Sequence, residues 1–209
     1  FDGDADRCLA VDENGALIDG DQIMAACGLD MMAKGKLPGN TVVATVMSNL
    51  GLHVFTKEHG MNLECTSVGD RNVLERMLEK GYAIGGEQSG HMIFLEHSTT
   101  GDGQLTALQM LALLKESGKK ASEVFGTCPR YPQELINVPV ADNDVKKAVM
   151  ASHELAQAIQ AEEEALNGEG RVLVRPSGTE ALMRVMVEAK TQELAHAAAQ
   201  RLADLIAGM

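Results

Sequence analysis

Between residues 41 and 117 short apolar runs alternate with segments of helical periodicity, and this alternation constrains the fold more than any other feature. Thr41-Val42-Val43-Ala44-Thr45-Val46 is a β-branched run with no polar alternation, the pattern of a strand covered on both faces. A helix is expected near 50–59, a short strand at 63–68, and a helix over 70–80 ended by Gly81. Strands at 82–84 and 91–95 precede a strongly apolar helix over 105–114 that stops near Gly118. Strands alternating with helices imply crossover connections, hence an α/β domain with a largely parallel sheet. Ahead of it, Ile23, Met24, Cys27 and Met31 give 21–34 helical spacing. Apolar runs around Asn14-Gly15 predict a hairpin over 9–18 in which both turn residues take positive φ.

The alternation breaks at Thr127-Cys128-Pro129-Arg130-Tyr131-Pro132, where closely spaced prolines mark a linker. Beyond it the pattern predicts a strand at 134–140, a helix over 143–166, strands at 171–175 and 182–189, and an Ala-rich helix over 192–207. That order, β-α-β-β-α, suits a separate small α+β domain. The expected fold class is therefore α/β: a mixed, mostly parallel α/β domain followed by a small α+β domain.

Charge and composition exclude some functions. Lys and Arg number 18 against 30 Asp and Glu, a net charge of −12, which argues against nonspecific nucleic-acid or anionic-membrane binding. Aromatic residues are 3% and Trp is absent, so there are few platforms for stacking single-stranded bases. No apolar run approaches the roughly 20 residues of a membrane span. Cys8, Cys27, Cys65 and Cys128 show no two-residue spacing, so reduced thiols and a cytoplasmic location are expected. Phe1-Asp2-Gly3-Asp4 is too acidic to open a signal peptide, and it lies inside a loop of functional type. A piece of a longer protein is expected.

Three loops concentrate chemistry. In Asp2-Gly3-Asp4-Ala5-Asp6-Arg7, carboxylates at alternate positions can converge on one hard cation, for which Mg²⁺ is suited; a solvated acidic turn is the other reading. An EF-hand, with Glu13 as its last ligand, fails because Arg7 stands where the sharp turn needs Gly. In Gly85-Gly86-Glu87-Gln88-Ser89-Gly90-His91, glycines admit a ligand close to the backbone and Glu87, Ser89 and His91 offer groups for sugar hydroxyls; a tight turn between strands is the alternative. Arg175-Pro176-Ser177-Gly178-Thr179-Glu180, with Arg184 four residues beyond, offers guanidinium, hydroxyl and backbone N–H donors, the inventory of a phosphate cradle, against a plain polar turn. Gly69-Asp70-Arg71 and Thr99-Thr100-Gly101-Asp102-Gly103 are weaker candidates, in which Asp70 and Asp102 can serve as helix caps. Ser152-His153 is set aside as a nucleophile–base pair because it falls inside the expected helix, where neighbours face different directions.

Taken in order, Asp2–Arg7, Glu87–His91 and Arg175–Glu180 resemble the metal, sugar and phosphate loops of the second, third and fourth domains of the α-D-phosphohexomutase family. The resemblance spans essentially the whole chain. It implies domains at 1–20 (the end of the second, with the metal loop), 21–130 (the α/β sugar-binding third) and 131–209 (the α+β phosphate-binding fourth). Val68-Gly69-Asp70-Arg71, Gly86–His91, Thr99–Gly103, Tyr131-Pro132-Gln133 and Arg184–Ala189 resemble the family's amino-sugar branch. The implied reaction interconverts glucosamine 6-phosphate and glucosamine 1-phosphate through a phosphoserine and a bisphosphate, towards UDP-N-acetylglucosamine and the cell wall. Asp2, Asp4 and Asp6 are then the Mg²⁺ ligands, and Arg7 and His91 the catalytic residues. Glu87, Ser89, Arg175, Ser177, Gly178, Thr179 and Arg184 bind the sugar phosphate. A homodimer through the absent first domain is a further implication.

The chain departs from the family pattern in places. Ala5 replaces a common Gly, Asn72 an aromatic and Ala181 a proline, and no Ser-His-Asn-Pro occurs anywhere. Without that serine the chain alone is expected to be inactive and to hold Mg²⁺ weakly. The alternatives are a phosphomannomutase/phosphoglucomutase with the same loops, or a noncatalytic sugar-phosphate-binding module. A haloacid-dehalogenase-type phosphatase is disfavoured, because no apolar strand precedes Asp2 and two loops go unexplained.

Overall fold

The strand β3 (Thr41–Thr45) is buried at every position, as its β-branched run requires. The protein is described by a computed structural model that covers all 209 residues. It divides into two compact units, Phe1–Arg130 and Tyr131–Met209, with the division inside the proline-bounded stretch.

In the first unit β3 pairs in parallel with β4 (Asn62–Thr66) and with β5 (Ile84–Gly86). The edge strand β6 (Met92–Phe94) runs antiparallel to β5, giving the order β4-β3-β5-β6. Only residues 87–91 join β5 to β6, too short a link for a parallel crossover, so the sheet is mixed rather than wholly parallel. Side chains of β3 alternate between faces. Val42 and Ala44 enter the main core with residues of α1 (Gly20–Ala33), α2 (Leu50–Glu58) and α4 (Gly103–Ser117). Val43 packs with Val73 and Met77 of α3 (Asp70–Lys80). The result is an α/β/α arrangement.

Local signals set the ends of these elements. Asp19 caps α1 by accepting the N–H groups of Asp21 and Gln22, while Gln22 returns a bond to the Asp19 backbone. Gly81 and Gly118 end α3 and α4 in the left-handed region. The Tyr82 N–H still bonds Met77 carbonyl oxygen, so the helix ending delays β5 from the expected 82–84 to Ile84–Gly86. A 3-10 turn at Pro38–Asn40 and the short α5 (Ala121–Phe125) were not expected, being too brief to show periodicity.

At the start of the unit β1 (Ala10–Val11) and β2 (Leu17–Ile18) form the expected hairpin. Its turn differs from expectation, because Gly15 takes positive φ (+85°) and Asn14 does not. The Asp12 carboxylate accepts the N–H groups of Asn14 and Ala16, both at 2.8 Å, and so builds a longer Asx-stabilised loop.

In the second unit β7 (Gln133–Pro139) and β8 (Gly170–Pro176) flank β9 (Leu182–Ala189), all antiparallel. Val174, Met183, Val185 and Val187 pack against Ala195, Ala198, Ala199 and Leu202 of α8 (Gln192–Ala207). The single helix expected over 143–166 is two, α6 (Asn143–Met150) and α7 (His153–Ala165), so the order is β-α-α-β-β-α. Ser152 causes the break: its backbone is extended and its Oγ accepts the Leu155 N–H, making it the N-cap of α7. No helix is long and apolar enough to cross a membrane.

Candidate functional site

The acidic loop closes on itself. Asp2 Oδ1 accepts the Arg7 backbone N–H at 3.2 Å, and Arg7 Nε lies 3.7 Å from Asp2 Oδ2. Ala5 turns the loop with φ of +61°. Asp2, Asp4 and Asp6 each offer a carboxylate oxygen, all within 4.8 Å of one another. Such crowding has an electrostatic consequence. Desolvation, followed by the hydrogen bond and charge of Asp2 and the charge of Asp4, holds the Asp6 carboxyl above its ordinary range. Desolvation acts in the same sense on Asp2, but hydrogen bonds from Arg7 and Asp6 and the Arg7 charge outweigh it and hold Asp2 low. Asp6 Oδ1 is buried with no donor. Three crowded hard oxygen groups, one of them with a buried oxygen that has no donor, fit a small divalent cation such as Mg²⁺.

The Glu87–His91 loop is the β5–β6 hairpin connection. The Glu87 N–H bonds the His91 carbonyl oxygen, and the Gly90 N–H bonds the Glu87 carbonyl oxygen. The loop joins the acidic loop through a backbone bridge between Arg7 and His91 and through Cys8 N–H to Gly90 O at 3.1 Å. Glu87 Oε1 accepts the Gly69 N–H at 3.1 Å, and Ser89 Oγ donates to Glu87 Oε2 at 3.4 Å. Glu87 therefore spans from the β5–β6 loop to the start of α3.

His91 is the meeting point of four segments distant in sequence. Its side chain is 5% exposed, with Nε2 3.6 Å from Asp6 Oδ2 and 3.9 Å from Asp70 Oδ2. Gly101 lies against the ring: a Cβ at Gly101 would fall 2.2 Å from Nε2, so any larger residue there must displace the ring. Gly103 N–H bonds Ala5 O at 2.9 Å. The two weaker candidate segments, around Asp70 and Gly101, thus belong to the same site. Asp102 is the N-cap of α4, accepting the Leu105 N–H. Asp70 is not a cap: Gly69 holds that position, and Asp70 begins α3.

Buried Asp21 was missed in the sequence. Its Oδ2 accepts the Asn49 N–H at 2.7 Å and Gln88 Nε2 at 3.1 Å, fixing the middle of the hairpin loop from behind. The only sequence signal was an acid in the first turn of α1, which reads as dipole compensation.

In the second unit the Arg175–Glu180 loop joins β8 to β9. Arg175 and Arg184 are register partners across the strands. Burial, then the Arg184 charge, lowers the Arg175 pKa, and no carboxylate lies within ion-pair distance of it. Arg184 Nη2 bonds Glu180 Oε2 at 2.9 Å. Ser177 is buried; its N–H bonds Leu182 O and its Oγ accepts the Glu180 N–H, so it braces the loop from within. The N–H groups of Gly178 and Thr179 have no acceptor in the chain. Two free amides and two guanidinium groups at paired strand positions make a ready anion site. Lys146, an ordinary helix charge by its sequence, donates from Nζ to Ser177 O and Glu180 O.

Residues 19–131 match the family model "Phosphoglucomutase/phosphomannomutase, alpha/beta/alpha domain III", and residues 135–205 match "Phosphoglucomutase/phosphomannomutase, C-terminal domain". The chain is similar to the phosphoglucosamine mutase of Ligilactobacillus salivarius, 54% identical over 99% of this chain and 45% of the relative. It is similar to that of Limosilactobacillus fermentum, 55% identical over 98% of this chain and 45% of the relative. It thus spans about half the length of these relatives. Among solved structures, an Aspergillus fumigatus N-acetylphosphoglucosamine mutase shares the fold with a TM-score of 0.85 at 24% identity, over 100% of this chain and 47% of the other. A second structure of that mutase, in complex with GlcNAc-6P and magnesium, gives 0.81 at 25% identity, over 99% and 51%.

Proposed function

The chain belongs to the phosphoglucomutase/phosphomannomutase family, and from that membership we propose that it carries the metal, sugar and phosphate loops of a phosphoglucosamine mutase. The observation that carries the reading is the 54–55% identity to relatives of that name across 98–99% of this chain. The formed loops of this chain add physical support. The activity interconverts glucosamine 6-phosphate and glucosamine 1-phosphate in the cytoplasm.

Each loop has a task in that reading. Asp2, Asp4 and Asp6 hold Mg²⁺, which when bound neutralises charge on a phosphoryl group. Arg7 contacts the same phosphoryl oxygens. Glu87 and Ser89, already bonded to each other, hold sugar hydroxyls, and His91 accepts or returns a proton at Nε2. Arg175, Gly178, Thr179 and Arg184 hold the phosphate that is not transferred, on a loop that Ser177 braces.

None of the 209 residues forms Ser-His-Asn-Pro, so the phosphoryl carrier is absent from this sequence. The chain alone is therefore expected to bind glucosamine 6-phosphate without isomerising it. The test is an NMR titration with glucosamine 6-phosphate, glucose 6-phosphate and mannose 6-phosphate, with product assayed in parallel. Saturable shifts at Gly178 and Thr179, tightest for the amino sugar and without turnover, support the proposal. Equal affinities favour the phosphomannomutase/phosphoglucomutase reading, and the absence of binding removes both.

A further inference from the structure

We infer that Lys146 is a positioning residue for the phosphate cradle: its ammonium group fixes the Arg175–Glu180 loop in its anion-binding form. The inference rests on the proposed role of that loop in holding a sugar phosphate.

Lys146 is 7% exposed, an unusual place for an ammonium group, and burial of a charge is tolerated only where it is well bonded. Its Nζ donates to Ser177 O at 2.8 Å and to Glu180 O at 2.5 Å. Those carbonyls bracket the two residues, Gly178 and Thr179, whose N–H groups have no acceptor. One cation therefore ties both ends of the turn together, around two central donors that have no partner. Charge-assisted bonds of this kind are about twice as strong as neutral ones, so the loop is held before any ligand arrives. The ammonium also adds to the positive field of Arg175 and Arg184 at a loop whose carboxylate, Glu180, is committed to Arg184. The residue reaches the loop from α6, whose start is fixed by Asp142 accepting the Asp144 and Val145 N–H groups. Neighbouring Lys147 is exposed and pairs with Asp144, which makes it a matched control.

The test uses the 209-residue chain, labelled with ¹⁵N and titrated with glucosamine 6-phosphate and separately with inorganic phosphate. In the unsubstituted chain the Lys146 ammonium resonance is expected to shift along the same isotherm as the Gly178 and Thr179 amides. Lys146→Met is expected to keep a dispersed spectrum and to weaken binding about tenfold, the scale of losing one charge-assisted contact. Lys146→Arg is expected to recover most of the affinity, and Lys147→Met to change nothing. A folded Lys146→Met chain that binds as tightly as the parent overturns the inference and leaves the proposed function standing. If Lys146→Met does not fold, the parent titration decides: amide shifts with a silent ammonium overturn the inference. Silence at Gly178 and Thr179 in the parent instead removes the phosphate-binding role itself, and the inference with it.

Discussion

Arg175 and Arg184 are paired directly across β8 and β9, so two guanidinium groups leave the same face of one antiparallel ladder from opposed positions. Like charges so placed are destabilising by a few tenths to about 1 kcal/mol. Glu180 offsets Arg184 alone. An anion between them reverses the sign of the interaction. Arg175→Ala is expected to leave the melting temperature unchanged or slightly raised while weakening sugar-phosphate binding at least about tenfold. Calorimetric titration beside thermal denaturation checks this, and a large loss of stability with intact binding contradicts it.

Ala5 sits at φ +61°, where a side chain costs about 1–2 kcal/mol. Ala5→Gly relieves this, and the greater freedom of glycine in the unfolded chain takes back about 0.5–1 kcal/mol. A net gain of about 0.5–1 kcal/mol in the first unit is expected, read as a higher urea midpoint at unchanged slope. A lower midpoint contradicts the conformational argument.

Gly101→Ala drives a methyl group into the His91 ring, at 2.2 Å from Nε2. Overpacking of this kind costs about 1–3 kcal/mol. The His91 ring resonances are expected to move, together with those of Asp6, because the two groups lie 3.6 Å apart. An unchanged His91 spectrum in the variant contradicts the packing described.

The cysteines give a pH dependence. Burial pushes the Cys27 thiol from 9.0 up to about 12, and burial likewise raises Cys8 and Cys128. Cys65 is exposed. At pH 8 a thiol reagent is expected to modify Cys65 quickly and the other three only on unfolding. Because the folded pKa of Cys27 lies above its unfolded value, its contribution is complete below pH 9 and is lost as pH rises towards 12. The loss is up to about 1.4 kcal/mol per pH unit. Cys27→Ala is expected to flatten that alkaline fall, measured by urea unfolding from pH 8 to 11.

Local chemistry made much of this protein legible in its sequence. The buried run Thr41–Thr45, the helix endings at Gly81 and Gly118, and the three polar loops follow from interactions within a few residues: β-branching, left-handed φ and donor inventory. Where local signals compete, the structure departs from the sequence pattern. Helical periodicity runs through Ser152 although its hydroxyl caps a new helix, and Asn14-Gly15 suggested a tighter turn than Asp12 imposes. Convergence was decided by the tertiary structure alone. Nothing in the spacing of Asp6, Asp70, His91 and Gly101 says that they meet, because the parallel sheet brings together loops many residues apart. Asp21 and Lys146 were invisible for the same reason. Each reads as an ordinary charge on a helix, and only burial against a distant loop, where an unpaired charge is costly, turns it into a brace.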